Sequence, residues 1–412
     1  MVFVDPCRGF LFFLVIFLIA SQYRRIAATE ERLYGIPKNQ VFDQVLSATL
    51  YGFLGGVFGS LIMVFVGVSL SYTGIAYLWP LALLLMLINP RFICFSYAGG
   101  IISISNLVFG WPKVDVPGLA ALVGILHVTE AMLIRISGGT CITPIMIRNK
   151  RGKVVSGFSL QKFWPVPIIV LLAVSTPEAA ELTGLIRMPD WWPLVRPDGI
   201  TPDENLIYIM IPVVAALGYG DIAIISPPSL KLKRTSLSLS VYSATLLGLA
   251  ILSSWIRPLR WAAALFAPLG HEAVIRAGMR GEFTDEPYLQ YREGEVTVLD
   301  VMPKSPAARA GIQSGDVILE ANGIPVRSAS DIKMLGESGV RAFHILLRRD
   351  TDAKRGGRFE IIHTRLERTD ETHLGLITVP DATAASFVEI KKSMPLMRLI
   401  EVISRLVRSR KR

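Results

Sequence analysis

The sequence is most informative at Ser305-Pro306-Ala307-Ala308-Arg309-Ala310-Gly311-Ile312-Gln313-Ser314-Gly315-Asp316-Val317-Ile318-Leu319-Glu320-Ala321-Asn322-Gly323. Ser305 is a good N-cap, and Pro306 suits the first position of a short helix. Gly311 suits a left-handed C-cap. Gly315-Asp316 leads into the apolar run Val317–Leu319, which reads as a strand. Asn322-Gly323 is a strong two-residue hairpin signal, because both residues tolerate positive φ. Helix, turn, strand and tight turn within nineteen residues describe a small α+β domain.

The flanks extend this pattern. Upstream, Val296, Val298 and Val301 bracket a short strand. Downstream, Val326 begins another edge, and Ser330 is expected to cap a helix from Asp331 to about Ser338, ended by Gly339. Ala342–Leu347 and Arg358–Thr364 read as two more strands. The domain is expected to cover 283–380. Beyond it, 387–412 reads as a basic amphipathic tail helix. Its apolar Leu396, Leu399, Ile400, Ile403, Leu406 and Val407 recur at helical spacing among Arg398, Arg405, Arg408, Arg410, Lys411 and Arg412. Such a helix suits anionic membrane lipid, with 395–412 as the contact.

Residues 1–276 are of another kind. The 412-residue chain is 51% hydrophobic and 18% charged, against about 25% charged in ordinary globular proteins, and its mean hydropathy is +0.48. Those values exclude intrinsic disorder and most soluble folds. The net charge of +10 would suggest nucleic acid in a soluble protein. Here 1–276 hold 21 basic and 14 acidic residues, and 277–412 hold 22 and 19. All seven tryptophans lie in the first part. The expected architecture is therefore an α-helical polytopic membrane domain over 1–276, followed by a small β-rich α+β domain.

A bilayer-crossing helix needs about 20 mostly apolar residues. Candidate spans are 8–22, 47–70, 73–89, 92–110, 117–135, 163–177, 206–226 and 238–256, with a ninth apolar stretch at 259–275. This predicts eight or nine spans. Basic residues gather after alternate spans: Arg24, Arg25, Arg32 and Lys38; Arg91; Arg148 to Lys153 and Lys162; Lys231, Lys233 and Arg234. The positive-inside rule puts those loops in the cytoplasm. Nine crossings also put the C-terminal domain there, and eight put it outside. In the second span, Gly55 and Gly59 form a small-xxx-small pair, which favours close helix packing or self-association into a homo-oligomer.

Few residues suggest catalysis. His127 and Glu130 share a helix face, so they are candidates for a buried hydrogen-bonded pair or for transport. His271-Glu272 begins the metalloprotease pattern H-E-x-x-H, but Ile275 stands at the second histidine position. Pro197-Asp198-Gly199 resembles the aspartate motif of intramembrane site-two proteases, in reversed order. Cys7, Cys94 and Cys141 have no CxxC spacing and no histidine nearby in sequence, so neither a metal nor another cofactor is expected. Walker, Rossmann and G-x-S-x-G motifs are absent.

The run from Ser305 to Gly323 resembles bacterial PDZ domains. The resemblance implies an extended peptide bound as an added strand beside a sheet edge. The family's glycine-rich carboxylate loop ordinarily precedes the strand at 295–302. Here that stretch is Glu286-Pro287-Tyr288-Leu289-Gln290, and Leu374-Gly375-Leu376 follows the last strand instead. The candidate peptide-binding residues are therefore Tyr288, Leu289, Ile332, Leu335, Leu374, Gly375 and Leu376.

Many spans followed by a C-terminal PDZ domain resemble the MinJ-type membrane proteins of division-site selection in Gram-positive rods. The likeness includes Trp79-Pro80, Arg91–Gly100, Leu126–Ala131, Thr143-Pro144 to Trp164-Pro165, and Ala267–Glu272. It implies a non-enzymatic scaffold at cell poles and septa that recruits cytoplasmic partners, DivIVA and MinD-like proteins. It also implies that His271-Glu272 is structural. The alternative is a PDZ-containing membrane protease or a regulator of intramembrane proteolysis.

Overall fold

A computed structural model describes residues 6–149, 152–175, 185–196, 206–350, 359–368 and 373–380. Five helices come first: α1 (Pro6–Tyr34), α2 (Val41–Val66), α3 (Ile75–Ile88), α4 (Phe95–Phe109) and α5 (Val116–Ser137). A short 3-10 turn, Pro90–Ile93, joins α3 to α4. An antiparallel sheet follows, with β1 (Thr143–Arg148), β2 (Val154–Ser175) and β3 (Leu206–Ala223) in that spatial order. Helices α6 (Pro228–Trp255) and α7 (Leu259–Gly278) complete this part.

Among the described residues, four helices are long and apolar enough to cross a membrane: Phe10–Tyr34, Val41–Val66, Val116–Ser137 and Pro228–Trp255. The apolar helices Ile75–Ile88 and Phe95–Phe109 are shorter. The prediction of eight or nine helical spans needs correction at two places, because 163–177 and 206–226 fall on β2 and β3 and are strands. Hydropathy alone does not separate a buried strand from a helix. The distinguishing residues are Pro165, Pro167 and Pro212, which would break a helix interior. Around them lie β-branched runs such as Val166, Ile168, Ile169 and Val170 that favour a pleated backbone.

Placing β2 among helices creates a demand. The strand pairs with β3 through a regular register from Phe158↔Ala223 to Ser175↔Leu206. The odd-numbered residues of its upper half turn their backbone groups the other way, toward the helices. There Tyr23 Oη both accepts from Phe163 N and donates to Phe163 O, at 3.3 Å each. Ser60 Oγ accepts from Ile169 N at 2.8 Å. Ser69 Oγ accepts from Ala173 N at 2.9 Å, and Ser71 Oγ donates to Ala173 O at 2.9 Å. Leu70 N donates to Leu171 O at 2.8 Å. Pro165 and Pro167 have no N–H to satisfy.

Two glycines let α2 approach this edge, and two more let it approach α5. A Cβ on Gly52 or Gly56 would collide with the carbonyl of Pro165 or Pro167. A Cβ on Gly55 or Gly59 would press on Leu133 or Thr129 of α5. The Gly55/Gly59 pair therefore serves packing within the chain, with α2 wedged between α5 and β2. Trp164, fully buried, donates from Nε1 to Ser137 Oγ at 3.0 Å and ties β2 to the end of α5.

Helix α7 packs antiparallel on α6. Lys231, in the first turn of α6, bonds to the Gly278 carbonyl at the end of α7. It also pairs with Glu282 at 2.8 Å and Asp221 at 3.3 Å. Glu282 accepts from the Ile224 and Ile225 amides at 2.7 and 3.1 Å. The stretch 259–275 is thus a full helix that returns toward the start of α6.

The C-terminal part holds β4 (Val296–Val301), α8 (Pro306–Arg309), β5 (Val317–Ala321), β6 (Ile324–Pro325), α9 (Ala329–Glu337), β7 (Ala342–Asp350), β8 (Phe359–Glu367) and β9 (Leu376–Thr378). The sheet order is β8-β7-β5-β4-β9, with β6 on β5. Its core gathers Val296, Val298, Ile318, Ile332, Phe343, Ile345, Leu347, Leu366 and Leu374. The expected turn chemistry holds. Ser305 Oγ accepts from Ala308 N, and Gly311, Asn322 and Gly323 have φ of 75°, 51° and 76°. One cap is corrected: Ser328 caps α9, and Ser330 lies inside the helix. The tail 387–412 and Pro197-Asp198-Gly199 lie outside the described residues.

The α2–β2 contact predicts opposite outcomes for two glycine substitutions. Gly56→Ala overpacks the carbonyl of Pro167 and should cost about 1–3 kcal/mol. Gly248→Ala, in α6 with open space around it, should be neutral or stabilising. Thermal unfolding of the detergent-solubilised protein compares them, and equal midpoints would contradict the packing.

Candidate functional site

The motif from Ser305 to Gly323 folds around one buried carboxylate. Asp316 is 1% exposed and receives a bidentate pair from Arg349, with Nε and a terminal nitrogen each at 2.7 Å. It also accepts from Gln313 N at 2.8 Å. This holds the turn before β5 against β7. A buried carboxylate is tolerated here because its hydrogen-bonding capacity is met.

The strand at the far edge of the sheet comes from the end of the domain. β9 pairs antiparallel with β4, with Val298↔Thr378 and Val301↔Leu376 in register across a bulge. The turn before it is fixed on both sides: Gly375 O accepts from Met302 N at 2.8 Å, and Leu374 O accepts from Ala307 N at 3.1 Å. Gly375 has φ of 77°, and a Cβ there would strike the Ser305 side chain. This is a position where only glycine fits. Among the described residues, no strand covers the other side of β9.

Helix α9 runs beside this turn. A Cβ on Gly336 would stand 3.9 Å from Leu374 Cγ. Ile332 and Leu374 are buried in the domain core, and Leu335 and Leu376 pack partly buried on it. The structure therefore brings five of the seven candidates together: Ile332, Leu335, Leu374, Gly375 and Leu376. This leaves the uncovered edge of β9 beside α9, with Ile332 and Leu374 buried beneath them.

Tyr288 and Leu289 lie elsewhere. Tyr288 N donates to Ile224 O at 2.7 Å, and Ser156 Oγ donates to Leu289 O at 2.7 Å. The Leu289 side chain packs in the same cluster as Phe158, Leu160 and Tyr219. These two residues fasten the linker to the β1–β3 sheet, so they are corrected from groove to joint. A glycine turn leading into an edge strand occurs instead at 374–378.

The groove domain is held on the helical part. Lys38, after α1, forms an ion pair with Asp300 of β4 and donates to Ile142 O at 2.9 Å. Leu299, Met302, Ile377 and Val379 join the same apolar cluster as Tyr23 and Trp164.

A second cluster was not evident from sequence. Cys94 precedes α4, His127 lies within α5 and His271 within α7. Cys94 Sγ is 3.1 Å from His127 Nε2 and 3.6 Å from His271 Nε2. Around them, Ser96 Oγ lies 3.3 Å from His127 Nε2 and 2.9 Å from Tyr242 Oη, which donates to Ala267 O. Glu272 points away into its own network: it accepts from Tyr97 Oη at 2.7 Å, and pairs with Arg276 at 2.8 Å and Arg91 at 3.4 Å. The expected His127–Glu130 hydrogen bond is not among those of the described residues. The Nδ1 of His127 instead meets the Val123 carbonyl at 2.7 Å.

Sequence comparison bears on this domain. A family model described as PDZ domain matches residues 297–349. The chain carries a PDZ domain. The matched residues include the Asp316 turn, α9 and most of β7. β9 lies outside them, as expected of an edge strand contributed from the C-terminal side. The chain is also 24% identical over 218 residues to the cell division topological determinant MinJ of Bacillus subtilis (strain 168). That match covers 52% of this chain, and the chain spans about half the length of that relative, 51%. The resemblance to MinJ-type proteins bearing a PDZ domain is borne out.

The cap of α9 carries a pH prediction. Asp331 accepts from the Arg327 and Ser328 amides, both at 2.9 Å, closing a capping box with Ser328. The Arg327 amide bond holds its carboxyl below the usual aspartate range, and the Ser328 bonds add to the effect. A lowered folded-state pKa stabilises above the unfolded value, about 3.9, and the benefit is lost as pH falls through the folded one. Asp331→Ala should weaken α9 by on the order of 0.5–1 kcal/mol at neutral pH and by progressively less in acid. Amide exchange in α9 reports this, and a pH-independent difference would contradict it.

Proposed function

We propose that this protein is a membrane-anchored adaptor of bacterial division-site selection, with its PDZ groove presented at the cytoplasmic face. The observation that carries the reading is the uncovered edge of β9 beside α9, where a peptide groove would lie, in a domain joined to a helical, span-bearing body by Lys38–Asp300. Similarity to a cell division topological determinant supplies the cellular setting.

The orientation follows from charge and packing. Lys38 belongs to the first basic loop, and it contacts the PDZ domain directly. The β2–β3 hairpin occupies the place of two crossings, so the alternation of basic loops survives the change from helix to strand. The return of α7 toward Lys231 brings the chain back to the same side. Positive loops favour the cytoplasm, which supports a cytoplasmic PDZ domain in this reading. The basic run at 395–412 supports a further contact with anionic lipid at that surface.

In this role the groove takes an extended segment of a cytoplasmic partner, of the DivIVA or MinD-like type, and the protein carries out no catalysis. The ties of Glu272 to Tyr97, Arg91 and Arg276 favour this over a protease, whose glutamate must be free to act as a base.

A fluorescent fusion at the C-terminus, in the source organism, tests the proposal. It should concentrate at poles and septa, and removal of residues 283–412 should misplace septa. A uniform membrane signal, with septum placement unchanged by the deletion, would overturn the division role.

A further inference from the structure

We propose that Cys94, His127 and His271 form a binding site for a Zn2+ ion, clamping the start of α4 to α5 and α7. One ligand atom from each of the three residues lies within 4.8 Å of the others. In a tetrahedral zinc site with Zn–S of about 2.3 Å and Zn–N of about 2.0–2.1 Å, neighbouring sulfur and nitrogen ligands stand about 3.5 Å apart. The observed 3.1 and 3.6 Å fall close to that spacing, so small side-chain rotations suffice to seat the ion.

The surroundings prepare the donors. A carbonyl only accepts, so the contact of His127 Nδ1 with Val123 O fixes the proton on Nδ1. That leaves the Nε2 lone pair aimed at Cys94. Metal-bound histidines ordinarily have their second nitrogen anchored in this way. His271 supplies the second, independent observation: its Nδ1 is buried and has no hydrogen-bond partner among the described residues. With Nε2 turned to the sulfur, either tautomer leaves a polar Nδ1 stranded, a cost that native interiors rarely carry without reason. A cation bound at Nε2 accounts for the ring facing the sulfur, and Nδ1 itself gains no partner from it.

The donor chemistry selects the ion. One thiolate and two imidazoles are a borderline-soft set that suits zinc and excludes magnesium and calcium, which take oxygen ligands. Binding converts the Cys94 thiol to thiolate and releases one proton, so affinity rises with pH. Three protein ligands leave the fourth position to water or another small ligand. Pattern reading missed the site because the residues are 33 and 177 positions apart. His271 stands in an incomplete H-E-x-x-H run whose missing ligand is supplied by another helix.

The test uses the full chain purified in detergent without chelator. Elemental analysis and competition with a zinc indicator should give one zinc per chain. Cys94→Ser and His127→Ala should each lower the affinity at least about tenfold, while Cys141→Ser leaves it unchanged. Cobalt substitution should give thiolate-to-metal absorption that Cys94→Ser abolishes. A measurement on the unaltered protein avoids any folding defect: zinc should slow alkylation of Cys94, mapped by mass spectrometry, and a chelator should restore it, with Cys141 as internal reference. Failure of the unaltered chain to take up zinc, uptake of copper alone, or equal alkylation of Cys94 with and without zinc would overturn the site.

Discussion

The structure depends on satisfying the backbone of β2 along the edge that faces the helices. A strand buried among apolar helices cannot turn to water for its free N–H and C=O groups, and each one left unpaired costs free energy. In a bilayer the demand is stricter, because lipid offers no partner at all. The protein meets it residue by residue. Two prolines delete donors, three serine hydroxyls and a tyrosine hydroxyl fill others, and the Leu70 amide supplies one more. The glycine face of α2 then closes over the proline carbonyls at a distance no side chain would permit. Substitution of any one of these groups is felt by its neighbours, because the edge is shared by α1, α2 and the segment after α2.

That sealed hairpin also sets the position of the soluble domain. The lower parts of β2 and β3, with β1, form a platform. Ser156 and Ile224 fasten the linker there through the backbone of Tyr288 and Leu289. Lys231, Asp221 and Glu282 lock the start of α6 and the end of α7 to the same place. These ionic groups are buried, so their worth lies in mutual satisfaction; an unpaired partner would be costly. Lys38–Asp300 adds a tether from the segment after α1. The PDZ domain is thus fixed to the span-bearing body at several points, and a segment docked in its groove would be held at a fixed place relative to that body.

The two halves of the chain were unequally legible in sequence. The PDZ domain was readable because its determinants are local: Ser305-Pro306, Gly311, Asp316 and Asn322-Gly323 act within a few residues of themselves. The error at α9 was small and instructive. Ser328 and Ser330 are both competent caps, and only Asp331 reaching back to the Ser328 amide decides between them. The hairpin was illegible to hydropathy because a doubly buried strand and a membrane helix present the same apolar run. Pro165, Pro167 and Pro212 held the information, and their spacing pointed to strands. The expected groove residues were unequally legible in position: Ile332 and Leu335 lie on α9 as the local pattern implies, but Tyr288 and Leu289, assigned by their place along the chain where the family's loop ordinarily stands, lie at the joint.

The reason for that last displacement lies in topology. A sheet does not record the order in which its strands were made. The edge position beside β4 can be filled by a segment that precedes β4 or by one that follows β8, provided it brings a glycine for the positive-φ turn and an apolar residue on either side. Leu374-Gly375-Leu376 meets those conditions, and Glu286–Gln290 lacks the glycine. Once 374–378 occupies the edge, the stretch before β4 is released from groove duty and is free to serve as the joint to the β1–β3 platform. One exchange of strands therefore accounts for both observations: a glycine turn that lies at the domain's end, and a linker held at the joint by the Tyr288 backbone and the buried Leu289.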